Sequence, residues 1–202
     1  MEPLNKIDIG YGLYVLSASE NGKDNACIIN TFMQVESSEP FSCVISVNKE
    51  TLTHKMILAS KNFNLSVLAI NAPFSIFERF GFQSGRDADK FNGYEKHIRR
   101  SENGLLYTTE ATNAFISFTV AEIIDFNTHT LFKSIPTKVN PLSNIDSLTY
   151  GYYLKNVKPK PSSTRQTGYR CIICNFIYEG EPLPVDYICP ICKHGAVDFV
   201  KQ

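Results

Sequence analysis

The sequence predicts a mainly β fold, an antiparallel barrel with short helices, followed by a small C-terminal metal-binding module. Runs of β-branched and aromatic residues follow one another, with short turns and only two helical stretches between them. Two C-x-x-C pairs lie near the C-terminus. The 202 residues leave room for two domains. We expect the barrel over 1–154, a linker over 155–168 and the metal module over 169–202.

The barrel elements are predicted in chain order from composition and turn signals. Gly10-Tyr11-Gly12 indicates a turn into a first strand, and Asn21-Gly22 is typical of a two-residue hairpin. Apolar residues at helical spacing predict a helix over 51–62, with Thr51 or Thr53 as its N-cap, and a second helix over 74–82. Further strands are predicted over 27–33, 41–47, 63–70, 115–125 and 128–135.

Charge and composition exclude several classes of function. The formal net charge is zero and the pI is about 6.9, so the chain lacks the basic character of a nucleic-acid-binding protein. The first residues carry neither a basic segment nor an apolar run, and no stretch resembles a membrane span, so we expect a cytoplasmic protein. Cys27 and Cys43 lie in apolar runs without a C-x-x-C partner and are interpreted as buried thiols.

The four C-terminal cysteines predict a metal site. Cys171, Cys174, Cys189 and Cys192 form two C-x-x-C knuckles, and four thiolates brought together make a tetrahedral site that suits zinc or a single iron. Ligand type alone does not separate structural zinc from redox iron. The aromatic residues near the knuckles favour iron, because an apolar shell excludes water and tunes a reduction potential.

The segment from Tyr169 to Tyr178, with Cys189-Pro190-Ile191-Cys192 and Asp198-Phe199, resembles a rubredoxin in the shortened form found at the end of rubrerythrins. This resemblance implies a mononuclear iron held by the four cysteines. The chain lacks the longer loop of full-length rubredoxins, and Asn175 and Lys193 stand where that family usually has glycine. A zinc ribbon therefore stays open as the alternative.

The polar segment 83–91 taken alone indicates a solvated turn that leads into a helix. Together with Asn30-Thr31, Asn48-Lys49 and Thr53-His54, it resembles the flavin reductase-like split barrels that bind FMN, over roughly residues 8–155. The resemblance implies a homodimer, in which the neighbouring subunit completes each flavin pocket. It also implies that His129 lies near the flavin as a catalytic residue. The FMN contacts that it implies are Asn30, Thr31, Gln34, Asn48, Lys49, Thr53, His54, Ser84, Gly85, Arg86, Asp87 and Lys90.

The chemistry of these residues suits FMN. Arg86 and Lys90 could neutralise the phosphate, and the open start of a helix after Asn48 could donate amides to it. The flavin carbonyls need polar donors, which Asn30, Thr31 and Gln34 could supply from one strand.

The two parts together resemble the high-molecular-weight rubredoxins. This resemblance implies an oxidoreductase that passes electrons from NAD(P)H through FMN to the iron and then to a redox partner, such as a flavodiiron protein that reduces oxygen or nitric oxide. Two alternatives remain open at this stage. One is a free-flavin reductase with a structural zinc ribbon, and the other is a non-enzymatic zinc-binding module.

Overall fold

The computed structural model describes residues 10–159, 168–173, 176–190 and 194–201. Seven strands form one antiparallel sheet in the order β2-β1-β5-β8-β9-β4-β3, and a three-stranded sheet in the order β11-β10-β12 belongs to the C-terminal module. Strands β6 and β7 pair as a separate hairpin. The strands are β1 (Tyr14–Glu20), β2 (Lys23–Ile29), β3 (Phe32–Glu36), β4 (Ser42–Asn48), β5 (Asn62–Leu68), β6 (Ile98–Arg100), β7 (Leu106–Thr108), β8 (Thr112–Asp125), β9 (His129–Pro141), β10 (Tyr169–Cys171), β11 (Ile177–Tyr178) and β12 (Phe199–Lys201).

The helices are short. They are α1 (Leu52–Ser60), α2 (Phe74–Gly81) and α3 (Tyr150–Tyr152), and α3 continues as a π-helix over Tyr153–Val157. Two single turns of 3-10 helix occur at Glu95–His97 and Ala196–Asp198. None of the helices that the described residues form is long and apolar enough to span a membrane.

The chain path requires the seven-stranded sheet to curl into a barrel. Strands β2 and β3 occupy opposite edges of the sheet, yet only Asn30 and Thr31 separate the end of β2 from the start of β3. Two residues span only about 7–10 Å, so the two edges must approach each other there. Asn30 and Thr31 therefore lie where the barrel is split.

Alternation along the strands creates two apolar cores. Leu16 of β1 packs inside the barrel with Ile45, Phe63 and Phe118, whereas its neighbour Val15 faces the other side. There it joins a second core, in which α2 and the turns after it contribute Phe77, Phe80, Phe91 and Tyr94. Both faces of β1 are thus buried over Val15–Ala18, which explains why the apolar residues of this strand do not simply alternate with polar ones.

Several local predictions are confirmed. Asn21 and Gly22 both have positive φ, 52° and 77°, and connect β1 to β2 as the predicted hairpin. Thr51 is the N-cap of α1, because its Oγ1 accepts a hydrogen bond of 3.2 Å from the amide of His54. Helix α1 ends at Lys61, whose φ of 59° is left-handed.

Two predictions about the elements need correction. The predicted strand 27–33 is interrupted at Asn30-Thr31, because the chain passes there from one sheet edge to the other. The polar segment 83–91 leads into turns and the 3-10 helix Glu95–His97 instead of a longer helix. The hairpin formed by β6 and β7 was not predicted from the sequence.

Candidate functional site

Two adjoining cavities lie at the split of the barrel, each with a volume of about 280 Å³. We call the first the junction cavity; Asn30, Thr31 and His129 are among its lining residues. We call the second the loop cavity; Thr53, Ser84, Gly85 and Arg86 are among its lining residues. Both are lined by Cys27, Ile28, Asn48 and Thr51, so together they form one continuous crevice.

The turn between β4 and α1 forms one wall of this crevice. The Oδ1 of Asn48 accepts from the amide of Glu50 at 2.9 Å, and the carbonyl oxygen of Asn48 accepts from the amide of Thr51 at 3.1 Å. These bonds fix the entry into α1, so the first amides of the helix lie at the loop cavity. A helix start with fixed amides attracts anions such as phosphate.

Asn25 on β2 positions Thr53 and requires glycine at position 85. Its side chain is buried, and its Nδ2 donates to the Oγ1 of Thr53 at 2.9 Å. A Cβ added at Gly85 would lie 2.1 Å from the Oδ1 of Asn25, so a larger residue cannot fit without moving that side chain. Asn25 belongs to the Asn25-Ala26 pair that takes part in the family resemblance, but it was not among the predicted FMN contacts.

The Ser84–Arg86 turn forms the opposite wall. The amide of Arg86 donates to Ser84 Oγ at 3.2 Å, and the Nη1 of Arg86 donates to the carbonyl oxygen of Glu50 at 2.5 Å. Arg86 thus bridges the two walls of the loop cavity and leaves a cation at its rim. Asp87 lies on the other side of Arg86, in an open cavity of about 520 Å³ that Asp24 also lines.

Lys90 differs from the expectation of a phosphate-binding cation. Its side chain is buried, and its Nζ donates to the carbonyl oxygens of Ala26 at 2.8 Å and Phe80 at 3.1 Å. Burial lowers the pKa of Lys90. Lys90 lines the loop cavity, but its ammonium ties β2 to the end of α2, so Arg86 is the better-placed cation for a ligand.

Gln34, Lys49 and His54 lie apart from the residues described around the two cavities. Gln34 is on β3, whereas Asn30 and Thr31 lie before that strand, so the prediction that the three share one strand is wrong. The exposed Nε2 of Gln34 donates to the carbonyl oxygen of Glu36 at 2.9 Å. Lys49 forms an ion pair of 3.2 Å with Asp125.

His54 belongs to a buried hydrogen-bond network behind the crevice. The hydroxyl of Thr130 donates to Asp125 Oδ1 at 2.6 Å, so its oxygen must accept from His54 Nε2, which lies 2.8 Å away. Burial lowers the pKa of His54. His54 therefore supports α1 from inside and does not present its Nε2 to a ligand.

The junction cavity brings Asn30, Thr31 and His129 together. The Oγ1 of Thr31 donates to the Oδ1 of Asn30 at 3.1 Å, and His129 Nδ1 lies 2.8 Å from the Oγ1 of Thr128. Burial lowers the pKa of His129, which favours the neutral imidazole near pH 7. This cavity can thus offer an amide, a hydroxyl and an imidazole to the polar edge of a planar ligand.

The predicted metal centre is described in part. Cys171 and Cys189 are both fully buried in one cluster with Phe199, and Tyr169, Phe176, Tyr178 and Tyr187 pack around it. The amide of Cys171 donates to the carbonyl oxygen of Phe176, and that of Cys189 to the carbonyl oxygen of His194, both at 2.8 Å. Cys174 and Cys192, the other two predicted ligands, lie outside the described residues. An apolar aromatic shell around buried thiols fits a soft metal.

Comparison with known proteins agrees with both parts of the chain. Residues 7–158 match the flavin reductase like domain, and residues 169–200 match the rubredoxin-like domain of rubrerythrin. The chain is 34% identical over 219 aligned residues to the high molecular weight rubredoxin of Moorella thermoacetica, covering 94% of each protein. It is 33% identical to the ferric-chelate reductase (NAD(P)H) of Archaeoglobus fulgidus, over 77% of this chain and 90% of that protein.

A solved structure also shares the fold of the barrel. The FMN-binding protein of Thermus thermophilus, crystallised with 1-cyclohex-2-enone, aligns with a TM-score of 0.62 and 19% identity, over 80% of this chain and 84% of that one. The family match and the relatives thus define an oxidoreductase of the flavin reductase-like class. The chain belongs to the high molecular weight rubredoxin family, which joins such a barrel to a rubredoxin-like domain.

Proposed function

We propose that FMN binds in the crevice formed by the loop and junction cavities. One observation carries this proposal. At the split of the barrel, the start of α1, the Arg86 cation and the wall that contains Gly85 surround one end of the crevice, and the polar residues of the junction cavity line the other end. Ser84, Arg86 and the first amides of α1 would hold the phosphate. Asn30, Thr31 and His129 would face the polar edge of the flavin ring.

We further propose that the four cysteines of the C-terminal module bind one iron and that the protein transfers electrons from NAD(P)H through FMN to this iron. FMN accepts electrons in pairs from a hydride donor and releases them singly, which matches the one-electron capacity of a mononuclear iron. The names of the two relatives support the rubredoxin and the NAD(P)H parts of this scheme. The final acceptor would be a redox partner protein, for which the family resemblance suggests the flavodiiron class.

The residues of the chain have separate tasks in this scheme. Arg86 and the start of α1 bind and orient, and the buried Asn25–Thr53 pair keeps the phosphate end of the crevice in shape. His129, with its lowered pKa, would donate or accept a hydrogen bond without adding a charge. The aromatic residues around Cys171 and Cys189 would exclude water from the iron.

We propose that the barrel works as a homodimer. Strand β3 and the long β8–β9 hairpin expose a series of large apolar side chains. Single exposed apolar residues are normal on the surface of a monomer, but a series of them on neighbouring elements is not. An apolar surface of this kind indicates an interface. The exposed residues are Met33, Val35, Ile124, Phe126, Ile135 and Val139.

The decisive experiment combines metal analysis with anaerobic spectroscopy of the purified full-length protein. We expect one FMN and one iron per chain, and we expect NADH or NADPH to bleach the flavin band and then the iron band. Zinc at full occupancy after growth with sufficient iron would contradict the redox role of the module and favour the free-flavin reductase. A colourless zinc protein would contradict both and favour a binding module.

A further inference from the structure

The C-terminal module contacts the flavin crevice of its own chain. His194, which belongs to the module, lines the loop cavity together with Glu50, Thr53 and Arg86 of the barrel. The remaining described residues around that cavity all belong to the segment from Asn25 to Lys90. A residue from the far end of the chain therefore closes part of the proposed phosphate end of the crevice.

His194 is rigidly connected to the metal centre. Its carbonyl oxygen accepts from the amide of Cys189 at 2.8 Å, and the next residue, Gly195, pairs with Ile188 in an isolated antiparallel bridge. This hydrogen-bonded turn belongs to the second knuckle. A displacement of the metal end of the module would therefore move His194 out of the cavity.

A second contact involves the first knuckle. Lys158 Nζ lies 2.6 Å from the carbonyl oxygen of Ile173 and 3.4 Å from that of Ile172. The amide of Lys158 donates to the carbonyl oxygen of Tyr153, whose side chain is buried in the core beside Phe77. Lys158, just after the barrel, thus contacts the first knuckle, and the loop cavity of the barrel contacts the second.

We propose that the metal module docks with its knuckles toward the flavin crevice of its own subunit and that His194 is the positioning residue of this docked state. The contact made by His194 brings the second knuckle to the loop cavity, so this arrangement holds the predicted metal site near the proposed phosphate end of the crevice. The proposal rests on the proposed function for its purpose, although the contacts themselves are independent of bound FMN or iron.

Photo-crosslinking of the full-length protein tests the docking and the choice of subunit together. A photo-reactive p-benzoylphenylalanine replaces Gly195, next to His194, where an added Cβ would meet no atom within 4 Å, and crosslinked peptides are identified by mass spectrometry after irradiation. We expect crosslinks to residues 48–53 or 81–86 in a product that migrates as a single chain. The same crosslinks in a product that migrates as two chains would overturn docking on the own subunit, and no crosslinks to these segments would overturn docking altogether.

Hydrogen exchange supplies a second readout without an inserted probe. In the full-length His194→Ala variant, amides of 48–53 and 81–86 should exchange at least about threefold faster than in the wild type, because docking no longer protects them. Val197→Ala is the matched control, since Val197 is in the same module and 93% exposed. Unchanged exchange in His194→Ala would contradict the proposal.

Lys158→Met provides a variant outside the module, in case His194→Ala disturbs the knuckle itself. It should give the same faster exchange at 48–53 and 81–86, while the amides of β10 and β12 stay as protected as in the wild type. If amides 48–53 and 81–86 exchange as slowly in this variant as in the wild type, the contact between Lys158 and the first knuckle does not support docking. None of these readouts depends on FMN or iron content, so failure of the docking proposal is distinguishable from failure of the proposed function.

Discussion

The Nδ2 of Asn25 donates a hydrogen bond of 2.9 Å to the Oγ1 of Thr53, and this contact joins a strand of the barrel to the helix that begins the proposed phosphate site. The same Asn25 side chain packs directly against Gly85 on the facing wall. Three segments that are distant in sequence are thus fitted together at one buried amide group. The shape of the crevice depends on that fit.

Gly85→Ala should weaken FMN binding about tenfold, or about 1.4 kcal/mol, because the new Cβ displaces Asn25 and with it Thr53. The measurement is titration of the FMN-free protein with FMN, followed by flavin fluorescence. Gly10→Ala is the control, since a Cβ at Gly10 would meet no atom within 4 Å. Equal affinity in Gly85→Ala and the wild type would show that Asn25 does not shape the binding site.

The local elements could be predicted because their signals are local. The Asn21-Gly22 turn and the Thr51 cap depend on backbone geometry that neighbouring residues determine. The interruption at Asn30-Thr31 could not be predicted in this way, because β2 and β3 are neighbours in sequence but lie on opposite sheet edges. Only the closure of the whole sheet brings those edges together.

The site was predicted less completely than the fold, and for a physical reason. Ligand-binding polar residues and structural polar residues look alike in sequence. Lys90 stands in a polar segment, yet its ammonium is buried against the carbonyl oxygens of Ala26 and Phe80. Likewise, His54 is adjacent to Thr53 but turns inward to Thr130. The contribution of His194 depends on a contact across more than half of the chain.

Arg86→Ala should weaken FMN binding by roughly 1.5–3 kcal/mol, because a charge-assisted bond to the phosphate is lost. The variant also loses the bond from Arg86 to the Glu50 carbonyl oxygen, which adds to the effect in the same direction. Arg99→Ala is the matched control, since the Arg99 guanidinium bonds only local carbonyl oxygens of Lys96 and Ile98 among its described contacts. Unchanged FMN affinity in Arg86→Ala would show that the phosphate binds away from Arg86.

His54 should make stability depend on pH. Burial lowers the pKa of His54 in the folded state. Below about pH 6.5 the unfolded chain therefore binds a proton at His54 more readily than the folded chain does. The contribution of neutral His54 to the free energy of unfolding is therefore fully present above that pH. It is lost as the pH falls toward the lowered pKa of His54. Urea unfolding at pH 7.5 and pH 5.5 should therefore show a smaller difference in the free energy of unfolding for His54→Gln than for the wild type.

The control for that measurement is His97→Gln. His97 is a partly buried histidine elsewhere in the barrel domain, and its ring lies tilted by 37° against that of Tyr94 with ring centroids 5.0 Å apart. This variant tests whether replacing a histidine by glutamine elsewhere in the barrel domain changes the pH dependence in the same way. The same pH dependence in His54→Gln and the wild type would mean that His54 titrates alike in the folded and unfolded chains.

Val139→Glu should dissociate the proposed dimer. Val139 is 61% exposed on β9 and belongs to the apolar series on β3 and the β8–β9 hairpin, so a carboxylate there would be buried without a partner in an interface. Sedimentation velocity should show a dimer for the wild type and a shift toward monomer for the variant. Asn140→Asp, at the neighbouring residue of the same strand, adds the same single negative charge and tests whether that charge alone has this effect. A monomeric wild type would contradict the proposal of a dimer.

Cys189→Ser should separate the two proposed redox centres. Cys189 is fully buried beside Cys171, and its loss removes one of four thiolates and leaves a weaker ligand set for iron. We expect the iron content to fall severalfold, while FMN affinity stays within about twofold, since the FMN contacts belong to the barrel. Reduction of the flavin by NAD(P)H should persist, and transfer to one-electron acceptor proteins should be lost.

Cys43→Ala, at a buried thiol of the barrel core, should keep its iron. Full iron content in Cys189→Ser would show that the metal is bound without this cysteine, and persistent transfer to acceptor proteins in iron-free protein would show that the flavin reduces them directly.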